Sequence, residues 1–311
     1  MTTHMRALLA GLLLACGALV ATVGVARNTG GGNDDPTPPK GPYVALGDSY
    51  TAAPKVPDQD NSPAGCDRSS NNYPSVVARQ LGLSGDDFTD VSCSGATTED
   101  LTAAQSTDDG TNPAQLKALS DDTRFVTLGI GGNDIGFSAL VKSCVKAGAF
   151  YYATGSGKFF GTGDAPCEKE YVDGGTDEVE QRIDKAGGQL ADVLAEIKDR
   201  APKARVYVVG YPEILPADGK NCGAEMAMAP GDVKYLSEKE QHLNDELRAR
   251  AKAAGAGFVD TYSPSEHHNA CSDPDTRWVE PLVPASPAAA VHPNERGEKG
   301  MAAAVLKAVG A

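Results

Sequence analysis

"YVALGDSYTA" (residues 43–52) runs a short apolar segment straight into Gly47, Asp48 and Ser49. The apolar part reads as a strand buried on both faces, and the three residues after it suit a turn for backbone reasons alone. A nucleophile at Ser49 would need more. A base and an oxyanion hole would have to come from elsewhere in the chain.

Working outward, four further stretches have the same character: "FTDVS" (88–92), "RFVTLGI" (124–130), "ARVYVVGY" (204–211) and "GFVDTY" (257–262). Helical patterns lie between and after them, at 72–82, 177–200, 237–255 and 294–310. Val179, Ile183, Leu190, Leu194 and Ile197 are spaced close to a helical period, with Pro202 just past the end. Alternating strands and helices predict an α/β domain over residues 43–311: doubly wound, three-layer α/β/α, on a five-stranded, mainly parallel sheet. The stretch from the 130s to the 170s, with "AGAFYYATGSGKFFGTGDAPC" (147–167), reads as an irregular loop. "TGSGK" (154–158) fails as a phosphate loop, because Phe159 follows the lysine and no strand leads in.

In open α/β sheets ligands collect at the carboxyl ends of the strands. Three polar, glycine-containing stretches fall there: Gly47-Asp48-Ser49, "SCSGATT" with Gly95, and "GIGGND" with Asn133 and Asp134. Ser49 can attack a carbonyl, and its own N–H, the Gly95 N–H and the Asn133 side-chain amide can face the oxyanion. Of the five histidines, His4 lies in the N-terminal segment, His242 on a charged helix, and His267 and His268 in a polar loop. His292, in "VHPN" directly before the last helix, sits where a loop can swing over the strand ends, and it is the candidate base.

A net charge of −14 opposes nucleic acid and anionic membrane surfaces as partners. Residues 1–26 read as a secretory signal with cleavage after Ala26. An uncleaved membrane anchor over residues 7–26 and a lipidated Cys16 are the alternatives. Residues 27–42 read as a Gly/Pro-rich linker. Setting Cys16 aside leaves an even number of the seven cysteines, which in an exported chain suggests disulfides. No Cys-x-x-Cys pair or nearby histidine has zinc-ligand spacing, so no metal is expected.

Together, "GDSY", Gly95 in "CSGATT", "GGND" and "HPN" appear in the order of the four motif blocks of the SGNH (GDSL) hydrolases. The chain resembles the secreted actinobacterial esterase/lipase branch of that family over the whole domain. The resemblance implies a serine esterase or lipase with Ser49 as nucleophile, His292 as base, and Ser49, Gly95 and Asn133 forming the oxyanion hole. It also implies disulfides Cys66–Cys93, Cys144–Cys167 and Cys222–Cys271, no cofactor, a small-molecule or lipid ester substrate and a monomer. A carbohydrate acetyl esterase, or a surface binding module without turnover, are the other readings. The family usually has an aspartate three residues before the histidine, and Ala289 stands there instead. A backbone carbonyl of Ala289 or Ala290 is therefore the expected partner of His292, with Asp260, Asp273 or Asp275 as rivals. Trp278 is expected to pack against its loop or to wall an acyl pocket.

Overall fold

The computed structural model describes residues 37–60, 62–154, 165–219, 222 and 225–311. The expected export segment 1–26, residues 27–36 of the expected linker and most of "TGSGK" lie outside the described residues.

Five parallel strands form the central sheet: β1 (Tyr43–Gly47), β2 (Phe88–Asp90), β3 (Phe125–Gly129), β4 (Arg205–Val209) and β5 (Gly257–Val259). Their spatial order is β5-β4-β3-β1-β2. Successive side chains point to opposite faces, and the sequence fills both faces. Val44, Leu46, Val126, Leu128 and Val208 enter one core, whereas Tyr43, Ala45, Phe125, Val209 and Val259 enter the other. Helices α2 (Phe137–Ala153), α3 (Glu178–Arg200) and α4 (Pro230–Ala253) cover the first face. Helices α1 (Tyr73–Gln80) and α5 (Glu295–Val309) cover the second. Each fully buried aliphatic or aromatic side chain contributes about 1.5–3 kcal/mol of apolar burial.

Helix α3 shows why the periodic segments fold as expected. Asp177 caps it by accepting from the Val179 and Glu180 N–H groups. Glu178 and Glu180 sit near its positive end and Lys198 and Arg200 near its negative end. Ile183, Leu190, Leu194 and Ile197 are buried on its inner side.

Two expectations are corrected. Residues 137–153 form a regular helix, α2, rather than irregular loop. Its N-cap is Gly136 at φ +72° with no side-chain cap, so the usual start signal is missing from the sequence. Gly148, on its buried side, lies against the Ala227 backbone, where a Cβ would have no room. Helix α4 begins at Pro230, seven residues before the predicted start at 237, because proline serves as a first-turn residue there instead of a breaker.

Three disulfides join Cys66 to Cys93, Cys144 to Cys167 and Cys222 to Cys271. The sequence separations are 27, 23 and 49 residues. Loops of that size correspond to roughly 3–4 kcal/mol of chain-entropy stabilisation each. Cross-links of this kind belong to oxidising compartments. No helix among the described residues is long and apolar enough to cross a membrane.

Candidate active site

The register of the sheet builds one side of the site. Tyr43 pairs with Phe125 and Gly47 with Gly129, so β1 and β3 end level with one another. The Asp48 N–H continues the ladder to the Gly129 carbonyl at 2.9 Å, and Cys93 N–H reaches the Gly47 carbonyl at 3.0 Å. Three strand ends therefore converge on Gly47. A Cβ at residue 47 would stand 2.6 Å from the Gly129 oxygen and would clash with Thr51, which is why glycine precedes the Asp-Ser pair. The Gln115 side chain grips the same residue from the other direction. Its Oε1 accepts from Gly47 N–H at 2.8 Å and its Nε2 donates to the Gly47 carbonyl at 2.9 Å.

Ser49 opens a single helical turn, Ser49–Ala52, capped by Asp48, which accepts from Tyr50 N–H at 2.9 Å. The other Asp48 oxygen accepts from the Tyr211 hydroxyl at 2.5 Å, and the Tyr211 oxygen accepts from Gly132 N–H at 2.8 Å. Burial raises the Asp48 carboxyl to about 7, against the opposing effect of these hydrogen bonds. Asp48 thus ties the serine turn to the loop that carries Asn133.

His292 reaches Ser49 from the far end of the chain. Its Nε2 lies 2.8 Å from Ser49 Oγ, and its Nδ1 lies 2.8 Å from the Ala290 carbonyl. Of the two expected carbonyls, Ala290 is the partner. Ala289 instead donates its N–H to the Pro54 carbonyl at 2.9 Å. Asp260 bonds Ser263, Asp273 accepts from the Asp275 N–H, and none of the three aspartates contacts His292. Donation from Nδ1–H to a carbonyl leaves the Nε2 lone pair to accept from the serine hydroxyl. Burial lowers the His292 pKa, the Ala290 carbonyl opposes this, and the charge of Lys55 lowers it further.

The histidine loop is held by contacts that span the chain. Glu280 N–H donates to the His292 carbonyl and Val291 N–H to the Glu280 carbonyl, both at 3.0 Å. The Tyr50 hydroxyl donates to the Val291 carbonyl at 2.6 Å, and its ring lies 5.0 Å from the imidazole. The Glu280 carboxylate, fully buried, accepts from Asn294 Nδ2 and from the Ala285 and Ser286 N–H groups. Val291 takes φ +59°, a strained conformation for a β-branched residue.

Asn133 lines the cleft beside Ser49, and its Nδ2 donates one hydrogen to the Ala96 carbonyl at 2.9 Å, leaving the second. Gly95, at φ +80°, stands outside that lining, one residue from Ala96. Neither the Ser49 nor the Gly95 N–H has an acceptor among the described residues. Asp134 binds the two loops together, accepting from Thr98 N–H and Thr98 Oγ1. The remaining described histidines are elsewhere: His242 pairs with Glu180, the His267 N–H donates to Glu213, and His268 stacks on Trp278. Trp278 packs its ring edge against Gly300 and does not line the cleft.

A serine hydroxyl on an imidazole, at the carboxyl edge of a parallel sheet, defines a serine hydrolase. Its histidine leans on a main-chain carbonyl. Residues 45–299 match the GDSL-like lipase/acylhydrolase family, and the chain belongs to that family as a carboxylic ester hydrolase. It is 40% identical over 270 residues to Lipase 2 of Streptomyces coelicolor, covering 86% of this chain and 85% of that one. It is 31% identical to an esterase of Streptomyces scabiei, over 84% of this chain and 80% of that one. The fold also matches a crystal structure of phospholipase A1 from Streptomyces albidoflavus, with TM-score 0.69 at 25% identity, over 86% of this chain and 99% of that one.

Proposed function

We propose that the protein is an exported lipase or esterase that cleaves lipid carboxylic esters through an acyl-enzyme on Ser49. The observation that carries this reading is the 2.8 Å approach of His292 Nε2 to Ser49 Oγ. His292 takes the hydroxyl proton as Oγ attacks the ester carbonyl, and the tetrahedral oxyanion is met by the Ser49 N–H, the Gly95 N–H and the second Asn133 amide hydrogen. The C–O bond to the leaving alcohol then breaks, and His292 returns the proton to the alcohol. Water repeats the sequence on the acyl-enzyme and releases the acid. The Ala290 carbonyl fixes the tautomer and supports the imidazolium without adding a negative charge. Residues 1–26 carry the chain out of the cell, where the disulfides persist, and the domain works as a monomer without a cofactor.

The test is hydrolysis of p-nitrophenyl esters from acetate to palmitate by the oxidised domain, beside Ser49→Ala and His292→Ala. Both variants should lose about 10⁴-fold or more in kcat. The parent should also be labelled once, on Ser49, by a serine-directed phosphonate. An optimum at acetate would favour the carbohydrate esterase reading. An inert, unlabelled parent would overturn the enzymatic mechanism.

A further inference from the structure

The turn that carries Gly95 is held from behind. Ala96 N–H donates to the Cys93 carbonyl at 3.1 Å, and Gly95 takes φ +80° in the third place of this four-residue turn. A positive φ there is the mark of a type II turn, which differs from type I by a flip of the central peptide. That peptide is Ser94–Gly95, and its N–H is the one offered to the oxyanion. Space does not select the glycine, because a Cβ at residue 95 would meet only Gln105 Nε2, at 3.8 Å. Glycine accepts both signs of φ, so the residue type alone leaves the flip open.

Gln105 settles it. Its Nε2 donates to the Ser94 carbonyl at 2.9 Å. In a planar trans peptide the carbonyl and the N–H point in opposite directions. With the carbonyl turned to Gln105, the Gly95 N–H faces away from it, and no described residue accepts from that N–H. The turn borders the cleft: the Ala96 carbonyl holds the Asn133 amide at 2.9 Å, and Asn133 lines the cleft beside Ser49, whereas Gln105 does not. A hydrogen bond to the Ser94 carbonyl also polarises the peptide and strengthens its N–H as a donor.

Gln105 is buried and begins a two-stranded hairpin, Gln105–Thr107 with Gly110–Asn112, in which it pairs with Asn112. Asn112 Nδ2 donates to the Ala64 carbonyl at 2.9 Å and lies 3.2 Å from Cys66 Sγ. Ser94 N–H donates to the Cys66 carbonyl at 3.0 Å. Hairpin and turn are thus fastened to one disulfide, Cys66–Cys93. Gln105 Oε1 is buried without a hydrogen-bond partner, so among the described residues the side chain bonds only the Ser94 carbonyl. A buried acceptor left unmet lowers stability, which marks Gln105 as a residue kept for the site rather than for the fold.

We propose that Gln105 is a positioning residue for the oxyanion hole, fixing the Ser94–Gly95 peptide so that the Gly95 N–H is turned toward the carbonyl under attack. It acts through that peptide alone. This inference rests on the acyl-enzyme reading above, with Gly95 as an oxyanion donor, and deepens it.

The test compares the wild-type enzyme with Gln105→Leu, and with Gln105→Met should the leucine chain not fold. Both keep the bulk of the side chain and remove the donor. On p-nitrophenyl esters kcat should fall by about 10–100-fold, less than the roughly 10²–10³-fold of an oxyanion donor deleted outright. KM and the melting curve should hardly move. An aliphatic trifluoromethyl ketone, which Ser49 attacks to give a hemiketal with its oxygen in the oxyanion hole, reads the same loss without turnover. Its inhibition constant should rise by the factor by which kcat/KM falls. In ¹⁵N-resolved spectra the Gly95 amide proton of the wild type should move downfield when the ketone binds, and in the variant it should stay. A variant with wild-type kcat per folded molecule, or one whose Gly95 amide still moves as in the wild type, would overturn the proposal. A wild-type Gly95 amide that ignores the bound ketone would overturn the Gly95 role and the proposal with it. A wild-type enzyme inert to every ester and to the ketone would bring down the acyl-enzyme reading on which both stand.

Discussion

The two halves of the serine–histidine pair are held by different physics. Ser49 stands at the end of a strand whose neighbours on both sides are in register, within a capped helical turn six residues from the start of β1. Ladder bonds carry most of the restraint on it, with the Gln115 and Tyr211 side chains added at Gly47 and Asp48. His292 stands in irregular chain between residues 266 and 294, where regular structure is nearly absent, and is fixed by contacts with distant residues. Tyr50 holds Val291 across 241 residues, and Glu280 stitches the loop to the start of α5. Ser49 is set chiefly by the sheet, and His292 by a few buried polar groups. Damage to the two sides should therefore look different.

On the sheet side, loss should fall on turnover. Asn133→Ala should lower kcat by about 10²–10³-fold, the scale of one oxyanion donor. KM and thermal stability should move little, since only the bond to the Ala96 carbonyl is lost from the fold; steady-state kinetics with a melting curve would check both. On the histidine side, stability and turnover should fall together. Glu280→Ala removes the acceptor of three donors, the Asn294 amide among them fully buried, and denaturant unfolding should show a loss of about 2–4 kcal/mol along with reduced kcat. Tyr50→Phe takes away a single hydroxyl, and about 1 kcal/mol of stability and a few-fold loss of kcat are expected.

The smallest effect concerns pH. In the proposed mechanism His292 works only when neutral, and its pKa is depressed below the ordinary histidine value of about 6.5. A depressed pKa keeps the imidazole neutral to lower pH, so the acid limb of the kcat/KM profile should lie below that value. Lys55→Glu exchanges a repelling charge for an attracting one and should move the limb upward. A limb that stays in place would show that burial alone sets it.

This contrast also explains what could be read from the sequence. Ser49, Asn133 and the sheet they stand on were legible because each is encoded locally, by apolar runs ending in turn residues. The last helix announced itself through Asn294, which caps it by accepting from Arg296 and Gly297. By contrast, Gln115, Tyr211 and Glu280 have no local signature. Each looks like an ordinary polar or aromatic residue until the fold brings it to Gly47, Asp48 or the histidine loop. Helix α2 was hidden for a related reason: its cap is a glycine, and Gly148 breaks its apolar pattern where another backbone packs close. The choice between Ala289 and Ala290 lay in the backbone path of the histidine loop, with Val291 at φ +59° beside it, which no residue type announces.

The partner of His292 Nδ1 belongs to the main chain, and this has an evolutionary consequence. Every amino acid carries the same carbonyl, so no codon change at position 290 can delete it. Ala290 is exposed, and larger side chains there would extend into solvent. An orienting carboxylate, by comparison, is one base change from being lost. The lineage carrying this arrangement is free to drift at position 290 without disarming its histidine. A search for relatives that demands an acid three residues before the histidine would pass over them.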